Sequence, residues 1–193
     1  MKGLIESIKV YTALNDNEIL LLQACVEKRV FNKNEVIFTE GKVSNEIYFV
    51  SKGWVRLFYN VAGTEKTAFF YTQGQFICAG ESYTFGIPAV ENYQAVEQTE
   101  IFVFTKQKTE ELLRKVPQLE ILARIATENE LITSQKVIAS FITKSAEERY
   151  IELRDTQKEL FQRVPQQYIA SFLGVSPETL SRIKSRVFKK SRS

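Results

Sequence analysis

The chain of 193 residues is 44% hydrophobic and 25% charged, which is ordinary for a globular protein of one or two domains. It contains no histidine and two cysteines, Cys25 and Cys78, and this argues against histidine-dependent hydrolases, histidine-ligated metals and four-cysteine zinc or iron–sulfur sites. The net charge is only +3.

The first residues carry one early lysine, but they lack the apolar run of a signal peptide, and Glu6 interrupts them. No stretch approaches the roughly 18 consecutive apolar residues that would span a bilayer. We therefore expect a cytoplasmic protein with no membrane partner.

Residues 1–30 are predicted to form short helices, since Asn15 to Asn17 supply N-cap residues before EILLLQACV. From Val36 to Thr105 the residues are typical of strands, and glycines recur at 41, 53, 63 and 74. This rhythm indicates a sandwich or barrel of short strands. The candidate strands are 35–40, 46–51, 54–60, 65–72, 76–79 and 92–104. The segments EIYFVSKG and WVRLFYN, joined near Ser51–Gly53, are expected to form a hairpin.

The pattern then becomes helical. Thr109 is a candidate N-cap, Pro117 is expected to break the helix, and a long helix is predicted over 118–143. Within it, alternating spacings of three and four define a seam that contains Leu122, Ile125, Asn129, Ile132, Lys136 and Ala139. Periodicity leaves two interpretations open: a helix packed on its own sheet, or a dimer helix whose register the polar residues fix.

The segment QQYIASFLGVSPETLSRIKSRV, residues 166–187, has the pattern of a helix-turn-helix. Ala170 is the small residue of the first helix, and Gly174 lies at the turn. Ser176 suits the N-cap of the second helix and Pro177 its first position. The alternative is an ordinary helical hairpin, and a further helix is predicted just before it, at 145–155.

The distribution of charge favours the helix-turn-helix. Residues 154–193 have a net charge of +6, whereas residues 1–153 have a net charge of −3. The small total therefore hides a basic C-terminal end, as expected for a surface that binds phosphates.

The second helix presents candidate contacts to DNA. Arg182 can bond to guanine and Glu178 can accept from cytosine, so the base contacts are assigned to Glu178, Ser181 and Arg182. Contacts to phosphates are assigned to Gln167, Ser176, Thr179, Lys184 and Lys189. An acid on a basic helix repels phosphates, so Glu178 is better explained by a base contact.

These features in this order resemble the Crp–Fnr family of bacterial transcription regulators. The matching stretches run from about residue 35 to 187: VIFTEGKVSNEIYFVSKGWVRLF, GQFI at 74–77, TSQKV at 133–137, and the helix-turn-helix with its Glu-Thr-x-x-Arg pattern at 178–182. The resemblance implies an α+β fold. On this resemblance we expect an antiparallel β-roll (jelly-roll, cyclic-nucleotide-binding-like) over 1–116, a long dimerisation helix over 117–143, and a C-terminal all-α helix-turn-helix domain over 144–193. It also implies a homodimer on a palindromic site of double-stranded DNA, with RNA polymerase as a further partner.

The chain departs from the family at the effector site. Gly80–Glu81 matches the first half of the phosphate cassette of the members that bind cyclic nucleotides, but the arginine of the second half is missing near 88–90. No Lys or Arg occurs from 67 to 105, which holds four acids, so a cyclic phosphate would lack its charged partner. We therefore expect no useful affinity for cAMP, no cofactor, and an unknown effector or none. The candidate pocket residues are Cys78, Gly80, Glu81, Tyr83, Thr133 and Ser134.

Family members place a β-hairpin wing after the recognition helix, but here only FKKSRS follows Val187. This basic tail is expected either to contact phosphate or to be disordered. Two other functions compete with a DNA-binding regulator: a ligand-sensing module whose C-terminal domain docks on protein, and, as the weakest, a jelly-roll enzyme. The sequence offers no nucleophile motif or phosphate loop, so we expect no enzymatic activity.

Overall fold

The structure, a computed structural model, describes residues 1–190. Its helices are α1 Lys2–Lys9, α2 Asp16–Cys25, α3 Gly80–Phe85, α4 Lys106–Lys115, α5 Glu120–Thr143, α6 Ala146–Thr156, α7 Lys158–Arg163, α8 Gln166–Phe172 and α9 Pro177–Lys190. Its strands are β1 Val26–Phe31, β2 Val36–Phe38, β3 Glu46–Lys52, β4 Trp54–Val61, β5 Thr64–Thr72, β6 Phe76–Ile77, β7 Asn92–Ala95 and β8 Thr99–Thr105. This is the α+β order predicted: a β-roll, a long helix and a C-terminal helical region.

The strands form two antiparallel sheets, with orders β1-β8-β3-β6 and β2-β7-β4-β5. The inner sides of both sheets pack together around apolar residues of β3, β4 and β8, including Val50, Val55 and Ile101, each 0% exposed. Short strands with aromatic and β-branched side chains on alternate positions suit such a two-layer roll.

The predicted hairpin between β3 and β4 is wrong. β3 pairs with β6 and β8, whereas β4 pairs with β5 and β7, so the chain changes sheet at Gly53. Gly53 has φ +101°, and a Cβ there would lie 2.6 Å from Oγ1 of Thr99, so this close crossing requires glycine. The true hairpin joins β4 to β5, through Ala62 and Gly63, both with positive φ.

Two other strand predictions need correction. Residues 26–30 were expected to be helical but belong to β1, which pairs with β8 along its whole length. The single strand expected at 92–104 is two strands, β7 and β8, which lie in different sheets. In both cases the pairing partner lies far away in the sequence, and local pattern does not reveal it.

The helix boundaries follow local signals more closely. Asn15 caps α2 with a capping box that includes Glu18, as the sequence indicated. The N-cap of α4 is Thr105 rather than Thr109, because its side chain accepts a hydrogen bond from the amide of Lys108. A 3₁₀ turn, Pro117–Leu119, separates α4 from α5, so the break at Pro117 is confirmed.

Two further clusters of buried residues flank the roll. One contains Leu4, Ile8 and Leu22 of α1 and α2, packed against the outer side of β3 and β8 and against α4. The other forms the interior of the C-terminal helices, and it includes Trp54 and Val96 of the roll. The C-terminal helices therefore share a core with the roll.

No helix in residues 1–190 is both long and apolar enough to cross a membrane. Helix α9 continues beyond Val187 to Lys190, so the first half of the FKKSRS tail is helical. Residues 191–193, which include Arg192 of the predicted basic tail, lie outside the described part of the chain.

Candidate nucleic-acid interface and the interior of the roll

Helices α8 and α9 form the helix-turn-helix that the sequence predicted. Ile169 and Ala170 of α8 are fully buried against Leu180 and Ile183 of α9. Gly174 closes the turn with φ +70°, a left-handed conformation that glycine adopts without strain. The small side chain of Ala170 lets the two helices approach closely, as this motif requires.

The start of α9 is held by its own side chains. Oγ of Ser176 accepts a hydrogen bond from the amide of Thr179 at 3.2 Å, which confirms Ser176 as the N-cap. Oγ1 of Thr179 in turn accepts from Nη2 of Arg182 at 3.1 Å. Thr179 therefore orients the guanidinium of Arg182.

The surface of α9 formed by Glu178, Ser181, Arg182 and Ser185 is exposed, and we call it the reading face. These residues lie three or four positions apart, so they share one side of the helix. A hydrogen bond from Ser176 lowers the pKa of the Glu178 carboxyl, so this carboxylate is ionised at neutral pH and acts only as an acceptor.

The predicted phosphate contacts do not all share this side of the helix. Lys189 follows Arg182 by seven residues, nearly two full turns, and so lies on the same side. Lys184 instead lies over the ring of Phe161 in α7, with Nζ 5.8 Å from the ring centroid, and partial burial lowers its pKa. Thr179 is half-buried, and Gln167 is exposed at the start of α8.

Arg186 and Lys190 of α9 pair with the same carboxylate, that of Glu147. The Glu147 carboxylate on α6 accepts from Nη1 of Arg186 at 2.9 Å and from Nζ of Lys190 at 2.7 Å. These contacts hold the last turn of α9 against α6, and they place part of the positive charge away from the reading face.

The predicted effector residues lie just before α3, on α3 and on α5. None of the six lines the groove of about 850 Å³ between β2, the 39–45 loop, the start of β3 and the start of α4. Gly80 and Glu81 begin α3, where Glu81 is exposed. The carbonyl of Tyr83 accepts from Nζ of Lys106 at 2.8 Å. On α5, Thr133 is exposed and Ser134 is half-buried.

Tyrosines fill the interior of the roll. Tyr71 and Tyr93 are 4% and 1% exposed, and their ring centroids lie 6.3 Å apart. The Tyr93 hydroxyl donates to the carbonyl of Cys78 at 3.0 Å, and the Tyr71 hydroxyl donates to Oε1 of Glu130 on α5 at 2.8 Å. Burial raises the pKa of both phenols and that of the Cys78 thiol, the last to about 12, so all three groups are neutral at pH 7.

This interior suits a packed core better than a site for a cyclic phosphate. Glu91 and Glu130 are the charged groups that act on Tyr71 and Tyr93, and both are negative. A phosphate placed among them would be repelled and would lack an arginine partner.

The exposed aliphatic side chains of α5 only partly follow the predicted seam. No residue of this helix is buried, and its large exposed aliphatic residues are Leu131, Ile132, Ile138 and Ile142. Of these, only Ile132 belongs to the seam. Leu122 and Ile125 are half-buried, and Asn129, Lys136 and Ala139 are exposed.

Sequence reasoning missed a buried arginine between the roll and α8. Arg56 is 1% exposed, and its guanidinium lies over the ring of Tyr168, 3.8 Å from the centroid. The available signal was a single cation inside the apolar strand WVRLFY. The partner ring, which explains that cation, is far away in the sequence.

Comparisons with known proteins agree with this architecture. Residues 28–116 match the family model of the cyclic nucleotide-binding domain. The solved structure of CLP, a c-di-GMP-responsive global regulator of Xanthomonas campestris, is similar with a TM-score of 0.75 and 17% identity, over 92% of this chain and 93% of that chain. The chain has the Crp–Fnr fold.

Two more structures share the Crp–Fnr fold with this chain. A CooA mutant of Carboxydothermus hydrogenoformans aligns with a TM-score of 0.71 and 18% identity, over 93% of this chain and 87% of that chain. FixK2 of Bradyrhizobium japonicum aligns with a TM-score of 0.70 and 19% identity, over 86% of each chain. No curated protein matches the chain by sequence.

Proposed function

We propose that the chain is a sequence-specific DNA-binding transcription regulator, and that it reads a palindromic site as a homodimer through the helix at 176–187. The reading face carries the proposal. Its Arg182 is exposed and held by Thr179, and the ionised Glu178 lies one turn away on the same surface. A bidentate donor beside an acceptor is the chemistry that distinguishes base pairs in the major groove.

Charge supports the same function. Residues 154–193 carry a net charge of +6, and a basic end of this kind attracts DNA through counterion release. By family resemblance, RNA polymerase is proposed as the partner through which bound regulator affects transcription.

The exposed aliphatic residues of α5 support the homodimer. Leu131, Ile138 and Ile142 are 57%, 59% and 77% exposed, and their spacings of seven and four place them on one stripe. This stripe lies on a helix of 24 residues, none of which is buried within the described part of the chain. Pairing with α5 of a second copy would cover the exposed stripe.

We further propose that the roll does not bind cAMP. The tyrosine-filled interior and the acidic groups around it support this part of the proposal.

Selection of bound DNA from random sequence tests the function. We expect an enriched palindrome whose binding weakens steeply as salt concentration rises, because bound counterions are released from the DNA. If no sequence is enriched and DNA retention is negligible even at low salt, the proposal is wrong, and docking on protein becomes the better explanation of the C-terminal domain.

A further inference from the structure

The outer side of β4 is the surface on which α8 rests. Along this strand Val55 and Leu57 point into the roll, so Trp54, Arg56 and Phe58 point outward. Trp54 and Arg56 are nevertheless only 4% and 1% exposed, because the C-terminal helices cover them.

Arg56 is the centre of this contact. Its guanidinium is stacked between two rings, 4.1 Å from the centroid of Phe58 and 3.8 Å from that of Tyr168. Around its edge, Nε donates to Oε1 of Gln94 at 2.7 Å and Nη2 donates to the carboxylate of Glu65. Three of these four partners belong to the roll, whereas Tyr168 belongs to α8.

This division of partners makes Tyr168 the residue that closes the site. A buried cation is stable only where ion pairs, hydrogen bonds or aromatic faces replace its water. The roll supplies the ion pair and one ring by itself, and α8 supplies the second ring. Docking of the helix-turn-helix is therefore coupled to burial of Arg56.

A second contact joins α8 to the edge of the sheet. β5 is the last strand of its sheet, and the amide of Thr67 donates to Oγ of Ser171 at 2.9 Å. Oγ of Ser171 also donates to the carbonyl of Glu65 at 3.3 Å. Ser171 thus satisfies two backbone groups that an edge strand leaves unpaired.

The docked arrangement leaves the reading face free. Glu178, Ser181 and Arg182 are exposed although α8 is held against the roll. The contact therefore orients the helix that would read DNA and does not cover it.

We propose that Arg56 is a positioning residue that mounts the helix-turn-helix on its own roll, through Tyr168 and with Ser171 at the strand edge, so that α9 is presented at a fixed angle. The inference rests on the proposed function, and it adds that the roll contributes to DNA recognition without touching DNA. The roll acts as a rigid support, and this limits the relative orientations that the two linked helix-turn-helix domains of a dimer can sample.

Trp54 reports directly on this contact. It is the single tryptophan of the chain, it belongs to the same buried cluster as Leu160 and Ile169, and its indole nitrogen is buried without a hydrogen-bond partner within the described residues. Separation of α8 from the roll would admit water to this ring. The fluorescence emission of Trp54 would then shift to longer wavelength, and acrylamide would reach the ring and quench it.

The test uses the full chain and four variants. We expect Arg56→Met and Tyr168→Leu to shift Trp54 emission to the red and to increase acrylamide quenching several-fold. Tyr168→Phe keeps the aromatic face, and Arg29→Met removes a roll arginine that pairs with Glu27 and Glu46 instead, so both should match the wild type. Far-UV circular dichroism checks folding, and Ser171→Ala replaces Arg56→Met or Tyr168→Leu if either of these does not fold.

DNA binding gives the second arm, on the palindrome obtained by selection. Tyr168→Leu should lower affinity for the full palindrome about tenfold or more and leave affinity for a single half-site unchanged, because only the linked geometry is lost. Unchanged Trp54 emission in all variants, or a red shift with full palindrome affinity, overturns the positioning role. If the wild type binds no DNA while the emission still shifts, the proposed function fails and the docking contact stands.

Discussion

At the reading face, Arg182 is held by a single hydrogen bond to Thr179 and is otherwise exposed. Its guanidinium can therefore replace bound water with two acceptors of a guanine. Little side-chain entropy is lost, because Thr179 already restrains the guanidinium. We expect Arg182→Ala to lower specific binding by about 1–3 kcal/mol and to relax discrimination at one position of each half-site.

Anisotropy titrations against the selected site and its single-base variants measure this change. Lys189→Ala is the control, since Lys189 lies on the same side of α9 as Arg182 and loss of a phosphate contact lowers affinity for all sequences alike. Unchanged discrimination in Arg182→Ala would remove this residue from the base contacts.

Gly174 is the other residue on which the helix-turn-helix depends. Its φ is +70°, and an added Cβ would lie 2.9 Å from Cε1 of Phe141, whose ring supports the guanidinium of Arg149 at 4.4 Å. Gly174→Ala should therefore destabilise the chain by about 1–3 kcal/mol through backbone strain and by a further amount through the displaced ring.

Urea unfolding of Gly174→Ala and Gly63→Ala separates the two effects. Gly63 also has a positive φ, +79°, but a Cβ there meets nothing within 4 Å, so only strain is added. Equal losses in the two variants would show that contact with Phe141 has no influence on stability.

Among the elements, α5 bears the proposed dimer. Ile138 is exposed on the aliphatic stripe, and two copies of its side chain would be buried in a symmetric contact. Ile138→Glu should convert the dimer into a monomer, because each side loses about 1.5–3 kcal/mol of apolar burial and gains an unpaired carboxylate.

Sedimentation equilibrium measures the oligomeric state. Thr133→Glu, on the opposite side of the same helix, introduces the same charge and should remain a dimer. Dissociation of both variants would show that the interface is not confined to the aliphatic stripe, and dissociation of neither would place the interface away from Ile138.

The elements also show which signals the sequence carries. The starts of α2 and α9 and the break at Pro117 were predictable, because Asn15, Ser176 and Pro117 act on neighbouring backbone. The pairing of β3 was not, since Gly53 looks like a hairpin glycine until Thr99 is seen behind it. The strand β1 shares this difficulty, because its neighbour in the sheet, β8, lies about 70 residues further along the chain.

The sites divide in the same way. The reading face lies within one helix, so spacing alone brought Glu178 and Arg182 together. The contact of Arg56 with α8 joins segments such as Thr67 and Ser171 that are 104 residues apart, and no local pattern specifies it. The effector pocket was inferred from resemblance and stays a prediction, because its residues on α3 and α5 are far apart in the sequence and no local pattern brings them together.

For the molecule as a whole, both the distribution of charge and the packing of the roll argue against cAMP as an effector. The segment 67–105 has no cation, and Tyr71 and Tyr93 occupy the interior between the two sheets. We expect isothermal titration with cAMP to show no binding in the micromolar range, since the phosphate would find no guanidinium and the tyrosines would have to move. Micromolar or tighter binding would contradict this, and AMP serves as a control for nonspecific nucleotide binding.

The junction between α5 and α6 also has a consequence for the spacing of a DNA site. Only Lys144 and Ser145 separate the two helices, both extended, and Arg149 donates to the Lys144 carbonyl at 2.7 Å. Each helix-turn-helix domain is thus joined to α5 by a linker that is too short to let it reach a half-site in another position. One base pair inserted at the centre of the palindrome moves the half-sites apart by about 3.4 Å and turns one relative to the other by about 34°. Affinity should then fall to that for a single half-site, so that the protein recognises the helical phase between the half-sites as well as their sequence.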